Sequence, residues 1–193
     1  MEDILYLVHR VPYPPNKGDK IRSYHLLRHL SRNYRVHLGT FIDDEGDWKY
    51  RDKVKSFCGE TCFVSLDPKA ARIRSLRGFF SGRPLTLPYY WDKDLQTWVN
   101  HILETKPVRN ILVFSSAMAQ YVSHAEHAHR VIDFVDIDSD KWMQYANTAT
   151  WPMNWIYWRE SKSLLRYERQ IAGDFDGATF VSQAEADLFV QFA

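Results

Sequence analysis

Long apolar runs, paired cysteines and an excess of either charge are all missing from this chain of 193 residues. No stretch approaches the ~20 consecutive apolar residues that cross a bilayer. The first apolar run, Ile4 to Val8, is too short for a signal peptide and has no cleavage site after it. A soluble, cytoplasmic protein is the expectation. Cys58 and Cys62 are the two cysteines present, too few for a disulfide framework. A single C-x-x-x-C supplies half of the four ligands on which a structural zinc closes, so two reduced thiols flanking a turn are expected, and no metal. The 25 basic and 24 acidic residues leave a net charge of +1, which excludes the basic excess of a nucleic-acid binder. Neither a G-x-G-x-x-G fingerprint nor a Walker A loop occurs.

What is present is alternation. Apolar runs at 4–8, 36–42, 62–66, 111–114, 131–135 and 178–181 read as strands. Between them lie amphipathic segments: 20–32, a polar stretch at 45–57, a basic helix at 69–81, and a long helical region at 140–172 broken near Pro152. Leu95, Trp98, Val99, Ile102 and Leu103 recur at i, i+3, i+4, i+7 and i+8, one face of a helix that Pro107 follows. Ser182 and Glu185 form a capping box for a closing helix through Leu188, Phe189 and Phe192. Strands apolar throughout and separated by helices predict a doubly wound α/β domain, with a parallel sheet covered on both faces. One domain over 1–193 is expected. Its end on a helix without a tail suggests a natural chain that continues.

Ligands of such sheets bind beyond the carboxyl ends of the strands, so the loops there are the candidates. The first, His9 to Lys20, is long for a βα loop, where ~2–6 residues is usual. Three prolines stiffen it. Gly18 lets backbone approach a ligand at a helix N-terminus, and Asn16, Lys17, Asp19, Lys20 and Arg22 surround it. A phosphate or a phosphorylated sugar carrier suits that loop, as does a rigid surface turn without a ligand. After the fourth strand, Ser115 and Ser116 can bond sugar hydroxyls or serve as helix caps. After the fifth come Asp133, Asp136, Asp138 and Asp140. Alternation puts Asp136 and Asp138 on one side if the chain stays extended. They can take a hydroxyl proton, bond a sugar or hold a divalent metal, and Asp138 or Asp140 can instead cap the next helix. A calcium loop is excluded by the missing glycine and distal glutamate. His124, His127 and His129 read as a solvated loop.

Two segments suit a surface. Between Asp67 and Asp92 lie Lys69, Arg72, Arg74, Arg77 and Arg83 with no acid, and Ile73, Leu76 and Phe80 give that helix an apolar side. Trp151, Trp155 and Trp158 recur at near-helical spacing ahead of Arg159, Lys162 and Arg166. Both fit a peripheral contact with an anionic membrane beside the mouth of the cleft. A tryptophan core with a solvated basic face is the other reading.

The loop R-V-P-Y-P-P-N-K-G-D-K-I-R-S, the segments V-F-S-S-A-M-A-Q-Y and D-F-V-D-I-D-S-D-K-W, and the pair L-D-P-K-A-A-R-I-R-S-L-R-G and T-L-P-Y-Y resemble one group of glycosyltransferases. The likeness is to the N-terminal domain of family-4, GT-B-fold sugar transferases associated with exosortase and exopolysaccharide loci. It implies a Rossmann-like, acceptor-side domain facing a separate donor-binding domain across a cleft. It implies retention of anomeric configuration, a nucleotide-sugar donor, a glycan or lipid-linked acceptor, and no metal or other cofactor. It carries over Asn16 to Lys20 as the loop facing phosphate and acceptor, and Ser115, Ser116, Asp136 and Asp138 as acceptor-side residues. Two readings stay open beside it. One is a metal-dependent GT-A transferase with Asp136-Ile137-Asp138 as its D-x-D. The other is a non-catalytic sugar- or partner-binding module. A chain with one wall of such a cleft is expected to fold but not to transfer sugar by itself.

Overall fold

The computed structural model describes residues 1–192; Ala193 and the side chains of Phe80 and Phe192 lie outside the described residues. Six parallel strands form one sheet: β1 (Glu2–Val8), β2 (Tyr34–Ile42), β3 (Thr61–Ser65), β4 (Val108–Phe114), β5 (His129–Asp133) and β6 (Gly177–Thr179), in the order β3-β2-β1-β4-β5-β6. The fold is thus the expected doubly wound, Rossmann-like α/β domain. β1 lies inside the sheet, and Ile4 to Val8 are all buried, which is why it reads as an unbroken apolar run. Its alternation splits the core in two. Leu5 and Leu7 enter the larger core, whereas Ile4, Tyr6 and Val8 enter the smaller one.

The helices are α1 (Gly18–Leu30), α2 (Arg51–Lys55), α3 (Pro68–Ser75), α4 (Arg77–Ser81), α5 (Thr86–Tyr89), α6 (Lys93–Thr105), α7 (Asp138–Thr148), α8 (Met153–Asp174) and α9 (Gln183–Phe192). α6 buries Leu95, Val99 and Ile102 as its spacing predicts, and Asp92 caps it by accepting from the Asp94 and Leu95 N–H groups. It packs so closely on β2 that a Cβ on Gly39 would come within 2.9 Å of Leu95 Cδ1 and 2.8 Å of Leu7 Cδ2. Ser182 Oγ accepts from the Glu185 N–H at 3.3 Å ahead of α9.

Some boundaries differ from expectation. The basic helix at 69–81 is two helices. Asp67 and Pro68 start α3, the helical ladder is interrupted at Leu76, and Gly82 in the left-handed region (φ 66°) ends α4. The polar stretch at 45–57 begins as a 3-10 helix over Glu45–Tyr50 before α2. β6 ends at Thr179, before Phe180 and Val181. The long helical region does break at Pro152, between α7 and α8.

Candidate functional site

The chain leaves β1 toward β2 on one side and returns as β4 on the other, so the carboxyl ends of β1 and β4 form the sheet's switch point, where such folds open a crevice. A cleft of about 1010 Å³ lies there. His9, Ser115 and the pair Phe134–Val135 follow β1, β4 and β5 directly and line it. Arg72, Ser75, Leu85, Thr86, Tyr89 and Tyr90 contribute from α3 to α5, and Asp136, Asp138, Lys141, Trp142, Met153, Ile156, Tyr157 and Glu160 from the start of α7 and α8.

Two backbone conformations at the strand ends are strained. Ser115 has φ 81° and Val135 has φ 68°, left-handed values that disfavour any residue with a Cβ, a branched one most. Strain of this kind costs on the order of 1–3 kcal/mol and clusters at functional sites. Buried Asp133 supports Val135 by accepting its N–H at 3.0 Å.

On the β1 side, the His9 ring stacks on Phe114 (centroids 5.9 Å apart, planes at 4°) and meets the edge of Tyr90. His9 Nε2 is 3.5 Å from Asp19 Oδ2, while the buried Nδ1 has no partner among the described residues. Arg10 donates to Asp19 and to Asp43, each at 2.9 Å. The nearby His9 ring outweighs burial and, with the charge of Arg10, holds the Asp19 carboxyl far below the usual carboxylate range.

On the β5 side, Lys141 Nζ pairs with Asp136 and lies 3.5 Å from Asp138 Oδ1. Burial pushes the Asp138 carboxyl up, and Lys141 offsets part of that rise. Burial pulls the Lys141 ammonium down, but the two carboxylates more than compensate and hold it above its ordinary value. Behind this corner, Glu168 of α8 is fully buried and accepts from the Ser139 N–H (3.3 Å) and hydroxyl in the first turn of α7. Burial, which these hydrogen bonds only partly offset, pushes the Glu168 carboxyl up to about 8. Glu160, two turns earlier on α8 and also buried, accepts from the Leu85 N–H (2.6 Å), the Thr86 N–H (2.9 Å) and the Thr86 hydroxyl (2.8 Å) at the start of α5. One helix therefore satisfies the orphan donors at the N-termini of two others that border the cleft.

Of the residues expected to form a site, Asp19, Ser115, Asp136, Asp138 and Arg72 line the cleft; Asn16, Lys17, Gly18, Lys20, Arg22 and Ser116 do not. Asn16, Lys17 and Gly18 are exposed. Gly18 opens α1 without a left-handed φ, and nothing lies within 4 Å of a Cβ built on it, so no close approach requires glycine there. Lys20 is buried against Asp47. Arg22 donates to Asp133 at 2.9 Å. Both charges are spent inside the protein rather than offered to an anion. Ser116 is buried with its hydroxyl unpartnered among the described residues. Asp136 and Asp138 do not share an extended strand, because Asp138 is already the first residue of α7. Neither it nor Asp140 is the cap; Ile137 holds that position without a side-chain bond.

Of the surface residues, Arg74 is committed, donating to the Pro88 and Tyr89 carbonyls at 2.7 and 2.8 Å. Arg77, Trp151, Trp155 and Trp158 are exposed. His9, Arg10, Tyr90 and Lys141, which also line the cleft, fall within the candidate loop and the quoted segments without an assigned role there, and Glu160 lies outside all of them. Cys58 and Cys62 are free thiols that burial pushes up to about 12 and about 11. Among the described residues no group of three His, Cys, Asp or Glu side chains could hold a metal ion, and no helix is long and apolar enough to cross a membrane.

No family model and no curated protein matches the chain. Among solved structures it is similar to the N-terminal domain of a trehalose-6-phosphate phosphatase from Candida albicans, with 14% identity and a TM-score of 0.52. The match covers 100% of this chain and 42% of that one. A likeness at that identity shows the Rossmann-like fold alone, and this chain spans less than half of the chain it matches.

Proposed function

We propose that this domain is the acceptor-side half of a GT-B-type sugar transferase. It would present a glycan or lipid-linked acceptor to a nucleotide-sugar donor held by a second domain, in the synthesis of an exopolysaccharide or cell-surface glycan. The observation that carries this reading is the composition of the cleft at the switch point. Carboxylates at Asp136 and Asp138 line one concavity together with Tyr90, Trp142 and Tyr157. Carboxylates accept hydrogen bonds from hydroxyls, and the flat faces of tyrosine and tryptophan pack against the C–H faces of a sugar ring. Asp138, in the cleft wall at the start of α7, is the residue assigned to take a proton from the attacking hydroxyl. Asp136, tied to Lys141, orients it. Transfer with retention follows from the family resemblance.

The metal-dependent GT-A reading is weaker here because the Lys141 ammonium already stands between the two carboxylates of its D-x-D. Saturation-transfer NMR of the domain with a panel of neutral oligosaccharides tests the proposal. Binding that Asp138→Asn weakens at least tenfold, with no effect of manganese, supports it. Absence of binding to any glycan, or a manganese requirement, overturns it.

A further inference from the structure

A second depression, of about 440 Å³, lies outside the cleft and is lined by Arg74, Arg77 and Arg83, with Trp91 and Gln120 beside them. None of its lining residues is acidic, and no acid occurs in sequence from Pro68 to Trp91. Arg77 and Arg83 are exposed. Exposed apolar side chains lie on the elements that carry it and on α8, which packs against them: Ile73 of α3 and Leu76 after it are 72% and 51% exposed, Trp155 and Trp158 of α8 are 53% and 49% exposed, and Trp151 ahead of α8 is 81% exposed. α8 and α4 are joined directly. Trp155 stacks on Phe79 of α4 (6.2 Å, planes at 7°), and Arg159 lies 4.8 Å over the same ring while donating to the Gly78 and Arg83 carbonyls at 2.6 and 3.2 Å.

We propose that this surface is a docking face for an anionic bilayer, with the arginine depression receiving a lipid phosphate headgroup and the protruding Ile73, Leu76 and tryptophans entering the interfacial layer. Charge complementarity commits it to that occupant. Arginine forks match phosphate, indole rings sit at the level of headgroups, and an anionic leaflet draws in a basic segment that carries no acid. The same elements border the cleft, α3 through Arg72 and Ser75 and α8 through Met153 and Ile156, so docking sets the mouth of the cleft beside the lipid surface. The inference does not depend on sugar transfer.

Sedimentation with phosphatidylcholine vesicles, with and without phosphatidylglycerol, at low and high salt, tests it without any sugar present. Binding to the anionic vesicles that salt weakens is expected. The double variant Arg77→Gln/Arg83→Gln lowers partition about 25-fold, at about fivefold per charge. Arg32→Gln/Arg109→Gln removes the same charge from exposed positions at the amino ends of β2 and β4 and changes partition less than about threefold. Trp155→Ala/Trp158→Ala weakens the binding that remains at high salt. Each variant is shown to be folded by a cooperative melt. Equal recovery in the supernatant with and without anionic vesicles overturns the proposal, as does equal loss in both arginine pairs. Two further results overturn it: saturable binding of inorganic phosphate alone that Arg77→Gln/Arg83→Gln abolishes while vesicles are ignored, and a dimer in light scattering that the tryptophan variant disperses.

Discussion

The β1–α1 loop with the first turns of α1, and the β5–α7 corner, both gather charge, and the protein uses them differently. The loop side spends its charges on partners within the protein. Lys20 is buried with Asp47, Arg22 reaches Asp133 at the end of β5, and Arg10, which with Asp19 also borders the cleft, bridges Asp19 and Asp43. The corner turns its charges outward. The side chains of Asp136 and Lys141 are 43% and 45% exposed, and both line the cleft. Basic residues around a glycine thus serve the fold here, whereas the acids serve the opening. The difference is one of desolvation. A buried ion pair is worth little net but costs much to break, and an open pair is nearly neutral to lose.

Removing Lys20 should break that contrast most visibly. Lys20→Met leaves Asp47 buried without a partner and is expected to destabilise the domain by about 3–5 kcal/mol, read as a lowered midpoint in urea. An Asp47→Asn/Lys20→Met double variant recovering much of that loss would show the pair as its source. Arg22→Met takes one hydrogen bond from Asp133 at the end of β5 and one from the Phe180 carbonyl just after β6, and should cost about 1.5–3 kcal/mol.

Glu168 sharpens the comparison through pH. Its carboxyl is raised to about 8 in the folded protein against about 4.3 in an unfolded chain. The native state therefore binds the extra proton between those values. The stability this contributes is fully present below the lower value and is lost as pH rises through the upper one. The expected slope is about 1.4 kcal/mol per pH unit between roughly 5 and 8. Glu168→Gln should flatten thermal melts over that window relative to the wild type; identical slopes would mean that Glu168 titrates normally. The smallest stability effect belongs to Asp136→Asn, at most about 1 kcal/mol. If it instead unfolds the domain, the corner is structural and the contrast with the loop fails.

Much of the architecture was legible from residues near one another in sequence. β1 showed as an apolar run because it is buried on both faces, and α6 showed through a spacing that one buried stripe imposes. The break at Leu76 was not legible, because α3 and α4 continue one apolar pattern and the contacts around it are distant in sequence. Arg159 of α8 binds the Gly78 and Arg83 carbonyls, and Arg74 holds those of Pro88 and Tyr89. The site was half visible. Ser115, Asp136 and Asp138 stand where a strand end predicts. Lys20 and Arg22 looked free because Asp47 and Asp133 are 27 and 111 residues away. Glu168 carries no signal in sequence, since its partner Ser139 is 29 residues away and only the position of α7 reveals it as buried.

The two glutamates of α8 give that helix a mechanical role. Its 22 residues make a rod about 33 Å long. Near its amino end Glu160 grips the backbone at the start of α5, and two turns further on Glu168 grips the start of α7. Two elements of the cleft wall are thus riveted to a single helix at two stations. Moving either away from α8 requires drawing a rivet, that is, breaking the hydrogen bonds of a buried carboxylate.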